Sequence, residues 1–151
     1  MLERPRPASS ADPPPSLADT GEPVALTRTS LGVAGTVAGP SGATLLSVTL
    51  RVESPEDGAA RALLVVAAAG EVDVDTAALL SAALDDAVDR HAMVCCDLSE
   101  VGFLDAAGVT ALMRAHQRAR ETGSRLTVRG AHGVARRVLQ ICGVELLLGG
   151  Q

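Results

Sequence analysis

The sequence predicts an α/β domain, and three observations carry that prediction. Short β-favouring apolar runs alternate along the chain with apolar stripes at helical spacing. Two of the helical stripes stop at a glycine, Gly123 and Gly143. Residues 92–98 are apolar except for Asp97, as expected of a strand covered on both faces. Strands alternating with helices favour a mixed, mostly parallel sheet with right-handed crossovers, here of about four to five strands.

In chain order, residues 1–42 are rich in Pro, Ser, Ala and Gly, with Pro13-Pro14-Pro15 near the middle and a weak apolar patch between Val24 and Val33. Such a stretch is expected to bury too little surface to offset its ordering entropy. It reads as a disordered N-terminal tail, and residues 43–151 as the folded domain. The tail is then dispensable, so a chain starting near Thr44 should keep its thermal midpoint. A regulatory arm phosphorylated around Arg28-Thr29-Ser30 is the functional alternative for this segment.

Residues 45–52 and 62–68 read as two strands joined in hairpin fashion by Ser54-Pro55-Glu56-Asp57-Gly58. Ala77, Leu80, Leu84, Ala87 and Val88 then form a helical stripe from about Thr76 to Arg90, with Asp75 or Thr76 available as N-cap. The strand 92–98 follows. Val109, Leu112, Met113 and His116 mark a second helix closed by Gly123, residues 126–128 another strand, and Val134, Val138 and Ile141 a third helix ending at Gly143. Residues 144–148 offer a last short apolar run. The predicted order is β-β-α-β-α-β-α-β.

Composition excludes several functions. Of 151 residues 47% are hydrophobic, enough for one core, yet Phe103 is the only aromatic residue, so Val, Leu and Ala must do the packing. A net charge of −5 with no stacking aromatics argues against nucleic-acid binding. All 13 basic residues are Arg; without Lys the glycine-rich stretch from Gly32 to Gly42 cannot be a Walker phosphate loop. The N-terminus lacks a signal-peptide core and no apolar run reaches the roughly 18 residues of a membrane span, so a cytoplasmic protein without membrane insertion is expected. The Ala- and Arg-rich composition points to a high-GC bacterial source.

Functional groups in an open α/β sheet gather where strand ends meet helix starts. Two such junctions carry ordered polar residues: Gly70-Glu71-Val72-Asp73-Val74-Asp75-Thr76-Ala77 and Phe103-Leu104-Asp105-Ala106-Ala107-Gly108-Val109. In the second, Asp105 is placed to cap the helix through the N–H groups of Ala107 or Gly108. Gly108 is expected to leave a flat, exposed helix end with free N–H groups, so that Gly108→Val should disturb partner binding more than folding.

These junctions, with the Asp97-Leu98-Ser99 that precedes the second, the Thr122-Gly123 stop and the run from Val134 to Val144, resemble the STAS domain family of anti-sigma factor antagonists. The resemblance extends from about Leu45 to Leu148. It implies a STAS fold and a protein that binds an anti-sigma factor, usually of the serine-kinase ATPase type, and so frees a sigma factor. With the reading of the second junction it places the expected partner contacts at Asp73, Asp105, Ala106, Ala107, Gly108 and Thr110, the last also as a substitute phosphate acceptor. Ala106 occupies the position at which relatives often carry the phosphorylated Ser, and Ala107 offers no substitute. Thr110, one turn along, is the nearest hydroxyl. Another STAS assembly, such as the small partner of a lipid-transport ABC ATPase, is the alternative.

No metal, cofactor or enzymatic activity is expected: no His pairs with a plausible nucleophile and no metal-ligand spacing occurs. His116 reads as a core or edge histidine with a local hydrogen bond, and His91 and His132 as residues at element ends. Cys95 and Cys96 must face opposite sides of one strand, so at most one of them can approach the helix carrying Cys142. The three are read as small buried residues, with a redox switch as the alternative.

Overall fold

The computed structural model describes residues 24–54 and 62–144. They form β1 (Val24–Arg28), β2 (Val33–Ala38), β3 (Thr44–Glu53), β4 (Leu63–Val72), α1 (Ala77–Arg90), β5 (Met93–Leu104), α2 (Ala106–Thr122), β6 (Arg125–Arg129) and α3 (Gly133–Cys142). The six strands make one mixed sheet in the order β1-β2-β3-β4-β5-β6. The first four pair antiparallel, and β4-β5 and β5-β6 are parallel. The α/β class and mixed sheet are as expected, but the described residues hold six strands, and three of their five ladders are antiparallel.

The extra strands come from the segment expected to be tail. Residues 24–42 hold β1 and β2, a hairpin that continues the sheet outward from β3. Val33 and Val37 of β2 are buried, and Val37 joins the main core. The hairpin turn is closed by Thr29, whose Oγ1 donates to Gly32 O at 3.0 Å and accepts from the amides of Leu31 and Gly32. The Arg28-Thr29-Ser30 stretch is therefore a structured turn at the sheet edge. It is anchored to the end of α1 by His91 Nε2, 2.8 Å from Leu31 O, and by an ion pair between Arg28 and Asp86. Residues 1–23 lie outside the described residues, as do 55–61 and 145–151, where the tip of the expected hairpin connection and most of the expected last apolar run fall.

The helices bury one stripe each against one sheet face. Leu80, Leu84 and Val88 of α1, Leu112, Ala115 and Ala119 of α2, and Ala135 and Leu139 of α3 share a core with Leu64 and Val66 of β4 and Val94 and Cys96 of β5. Gly123 and Gly143 end their helices in the left-handed region, φ 83° and 72°, as the sequence predicts.

Strand β5 runs six residues beyond the expected end at Leu98. Its partners on β4 step from Ala67 to Ala69 while β5 steps from Asp97 to Glu100, and from Gly70 to Glu71 while it steps from Val101 to Phe103. Each step leaves one extra residue on β5, and each such bulge flips the inside-outside phase. Inward positions therefore become Leu98, Val101 and Leu104, all fully buried. The two bulges carry the strand to the edge of the second junction.

Candidate functional site

The two junctions are brought side by side. Glu71 and Val72 at the end of β4 stand opposite Phe103 and Leu104 at the end of β5, and the Asp105 amide donates to Val72 O at 3.1 Å. The starts of α1 and α2 flank a cleft of about 370 Å³ whose walls include Ala77, Ser81, Asp85, Ala107, Thr110 and Arg114.

Asp105 caps α2 as the sequence predicts: its Oδ1 accepts from the Ala107 amide at 2.9 Å and the Gly108 amide at 3.4 Å. Val109 N–H donates to Asp105 O. The expectation of a helix end with several free N–H groups is corrected accordingly, because the cap consumes two of the first-turn donors. Ala106, the first helical residue, is exposed, Ala107 is half-buried and Thr110 is exposed.

Gly108 does not lie on this surface. It is buried, and a Cβ there would clash with Leu104 Cδ1 and stand 2.9 Å from Val72 Cγ1. Both neighbours are fully buried. Its lack of a side chain lets the first turn of α2 settle onto the ends of β4 and β5, which gives it a packing role that the expected flat, exposed helix end did not include.

Asp73 begins the turn before α1. Its Oδ1 accepts from the amides of Asp75 at 2.9 Å and Thr76 at 3.2 Å, so one carboxylate oxygen is committed to the turn. Val74 at the turn is 77% exposed and Phe103 41%, two large apolar side chains bordering the same pair of junctions. Sequence reasoning left both out of the site; the signal available was that the only aromatic residue falls at a junction and not within a core stripe.

The sheet face opposite the three described helices carries a second polar group that sequence reasoning missed. Arg129 of β6 makes a paired contact with Glu53 of β3, Nη1–Oε1 3.1 Å and Nη2–Oε2 2.7 Å, and its Nε reaches Asp97 Oδ2 at 3.4 Å. Arg51 bonds Glu53 and Asp97 from the other side, and Asp97 Oδ1 accepts from the Ser99 amide and hydroxyl. Hydrogen bonds from Arg129 hold the Glu53 carboxyl below its ordinary range. Burial pushes Asp97 up, but Ser99 and Arg129 outweigh it and leave Asp97 also lowered. Asp97 and Arg129 are register neighbours, which becomes visible only once β5 and β6 are paired.

The cysteines are three free thiols. Cys96 is fully buried in the core, Cys95 is buried on the opposite sheet face, and burial pushes both thiols up. Cys142 is exposed, so the reading of three buried residues holds for two. His91 lies at the end of α1 and His132 at the start of α3, as expected. His116 is half-buried, and its Nδ1 has no hydrogen-bond partner among the described residues, contrary to the expected local bond. Among the described residues no cluster of His, Cys, Asp or Glu is placed to hold a metal ion, and no helix is long and apolar enough to cross a membrane.

Known structures share this architecture. A Thermotoga maritima protein proposed to be an anti-sigma factor antagonist aligns with a TM-score of 0.55 at 13% identity over 67% of this chain and 84% of that one. The anti-sigma factor antagonist SpoIIAA in its unphosphorylated form aligns at 0.52 with 17% identity, over 68% and 88%. An anti-sigma factor antagonist from Mycobacterium paratuberculosis aligns at 0.52 with 26% identity, over 76% and 89%. No curated protein sequence matches significantly. Residues 57–149 match the family described as Mlab, STAS domain, and the chain, which carries that fold and both junctions in place, belongs to the STAS domain family.

Proposed function

We propose that this chain is an anti-sigma factor antagonist: a bacterial, cytoplasmic regulatory module, not an enzyme, that binds a serine-kinase-type anti-sigma factor and so frees a sigma factor. The contact is the surface formed by the Asp73–Thr76 turn and the Ala106 end of α2, with Asp105, Ala107 and Thr110 at its borders. The observation that carries the reading is an Asp-capped helix start that presents an exposed Ala106 beside an ordered acidic turn. The Mycobacterium paratuberculosis antagonist, 26% identical, supports it. The module works by shape and charge, and needs no cofactor, metal or nucleic acid.

Alanine has no hydroxyl, so a kinase cannot modify position 106, and the partner is bound without phosphorylation control there. The test is incubation of the full chain with the source organism's kinase-type anti-sigma factors and ATP, followed by binding measurement, intact-mass analysis and peptide mapping. Binding without phosphate in residues 103–112 is expected, and Ala106→Ser should gain phosphate and lose affinity. Absence of binding to all of them, or stoichiometric phosphate on the natural chain in that segment, overturns the reading.

A second reading is a STAS subunit of another assembly, such as a lipid-transport ABC system, which a match to a STAS domain model also allows. Co-purification with a transport ATPase and its permease, in place of an anti-sigma factor, would select it.

A further inference from the structure

Thr76 is the N-cap of α1, yet its side chain makes no capping hydrogen bond. It is fully buried, and its hydroxyl is spent on the turn in front of the helix: Oγ1 donates to Glu71 O at 2.7 Å and accepts from the Asp73 amide at 2.9 Å. A threonine at this position ordinarily accepts from its own helix's first-turn amides. Here that role is given up, and the same turn is tightened further by Asp73 Oδ1 on the amides of Asp75 and Thr76. One residue before the turn, Val72 O accepts the Asp105 amide. The chain of bonds therefore runs from Thr76 through the β4 terminus to the capping residue of α2, with Val74 held out at the turn, 77% exposed.

We infer that Thr76 is a positioning residue whose buried hydroxyl locks the Asp73–Thr76 turn and the Asp105 end of α2 into one rigid surface, so that the partner meets a preorganised contact. The inference rests on the proposed reading of that surface as the partner contact. Removing the hydroxyl leaves the Asp73 amide and Glu71 carbonyl short of a bond in a partly buried place, a loss concentrated at the turn. Because α1 and the core stripe keep their contacts, the loosening should spread along the bonded path and not evenly through the fold.

The experiment compares Thr76→Val and Thr76→Ser in the full chain by native-state amide exchange. In Thr76→Val the Asp75, Asp105 and Ala107 amides should exchange at least about tenfold faster relative to the mid-helix amides of Leu112 and Ala115, and Thr76→Ser should restore them. Asp73→Asn, which weakens the acceptor while keeping its shape, should loosen the same amides by a smaller factor, about threefold, and serves if the valine variant does not fold. The inference is overturned if Asp105 and Ala107 keep their relative exchange in these variants, if every amide speeds up in step, or if serine fails to rescue. Affinity for the purified kinase-type anti-sigma factor is read in parallel and should fall about tenfold in Thr76→Val and recover in Thr76→Ser. Loosened amides with unchanged affinity would leave the coupling standing and refute the surface as the contact.

Discussion

Gly108→Ala adds one methyl group at the point where α2 touches the ends of β4 and β5. The new Cβ would stand 2.9 Å from Val72 Cγ1 and 3.0 Å from Leu104 Cγ, besides clashing with Leu104 Cδ1. Neither side chain can swing into solvent, since both are fully buried. Overpacking of this kind costs about 1 to 3 kcal/mol. Replacing glycine by alanine inside a helix returns up to about 1 kcal/mol, less in a first turn. The balance is a loss of about 1 to 2 kcal/mol, a fall in Tm of roughly 5 °C. Gly108→Val adds two further methyls and should cost more. Gly102, near the end of β5 but with open space around its Cβ position, is the control, and Gly102→Ala should stay within about 0.5 kcal/mol of the natural chain. Thermal and urea melts of the three variants decide the matter. A Gly108→Ala protein as stable as the natural chain would refute the packing role and restore the surface role read from the sequence.

Deletion of residues 1–43 should destabilise strongly, since it removes β2 with the buried Val33 and Val37, each worth about 1.5 to 3 kcal/mol; a thermal melt unchanged from the full chain would show the hairpin to be dispensable after all. Acid should weaken the fold through Glu53 and Asp97: their folded pKa values lie below the unfolded ones, so their contribution is complete above the ordinary carboxylate range and is lost as pH falls through the lowered values, below about pH 4. Arg129→Met should flatten that limb of the stability-pH curve, and an identical limb in the variant would count against the network.

What could be read from the sequence was local. Asp105 as a cap with Ala107 and Gly108 as donors, and Gly123 and Gly143 as helix stops, depend on neighbours within a few residues, and all appear as expected. What could not be read depends on partners far along the chain. The β1-β2 hairpin follows the Pro- and Ser-rich start of the chain and has glycines of its own, and Gly35 is needed because the backbone of Ala25 passes too close for a Cβ. A residue that looks like a loop marker is there a mark of close strand pairing. In β5 two bulges turn alternation into the three-residue spacing of Leu98, Val101 and Leu104, which fits neither a regular strand nor a helix. Gly108 was misjudged for the same reason: which face of the first helical turn points inward follows from how far β4 and β5 extend.

On the proposed reading, these corrections change how the surface works. Ala106, Val74 and Phe103 are exposed at the two junctions, which also carry Glu71, Asp73, Asp75 and Asp105. Exposed apolar groups combined with acidic ones favour a partner face that is itself partly apolar and basic. Because the Asp105 carboxylate already holds the amides of Ala107 and Gly108, a phosphate at position 106 would gain little from the helix end and would lie beside a like charge. In Ala106→Ser, modification would thus charge a neutral, exposed point of the surface while receiving little local compensation, a strong disruption from a single group. With alanine there that point cannot be charged, and control of binding passes to whatever sets the abundance or state of the partner.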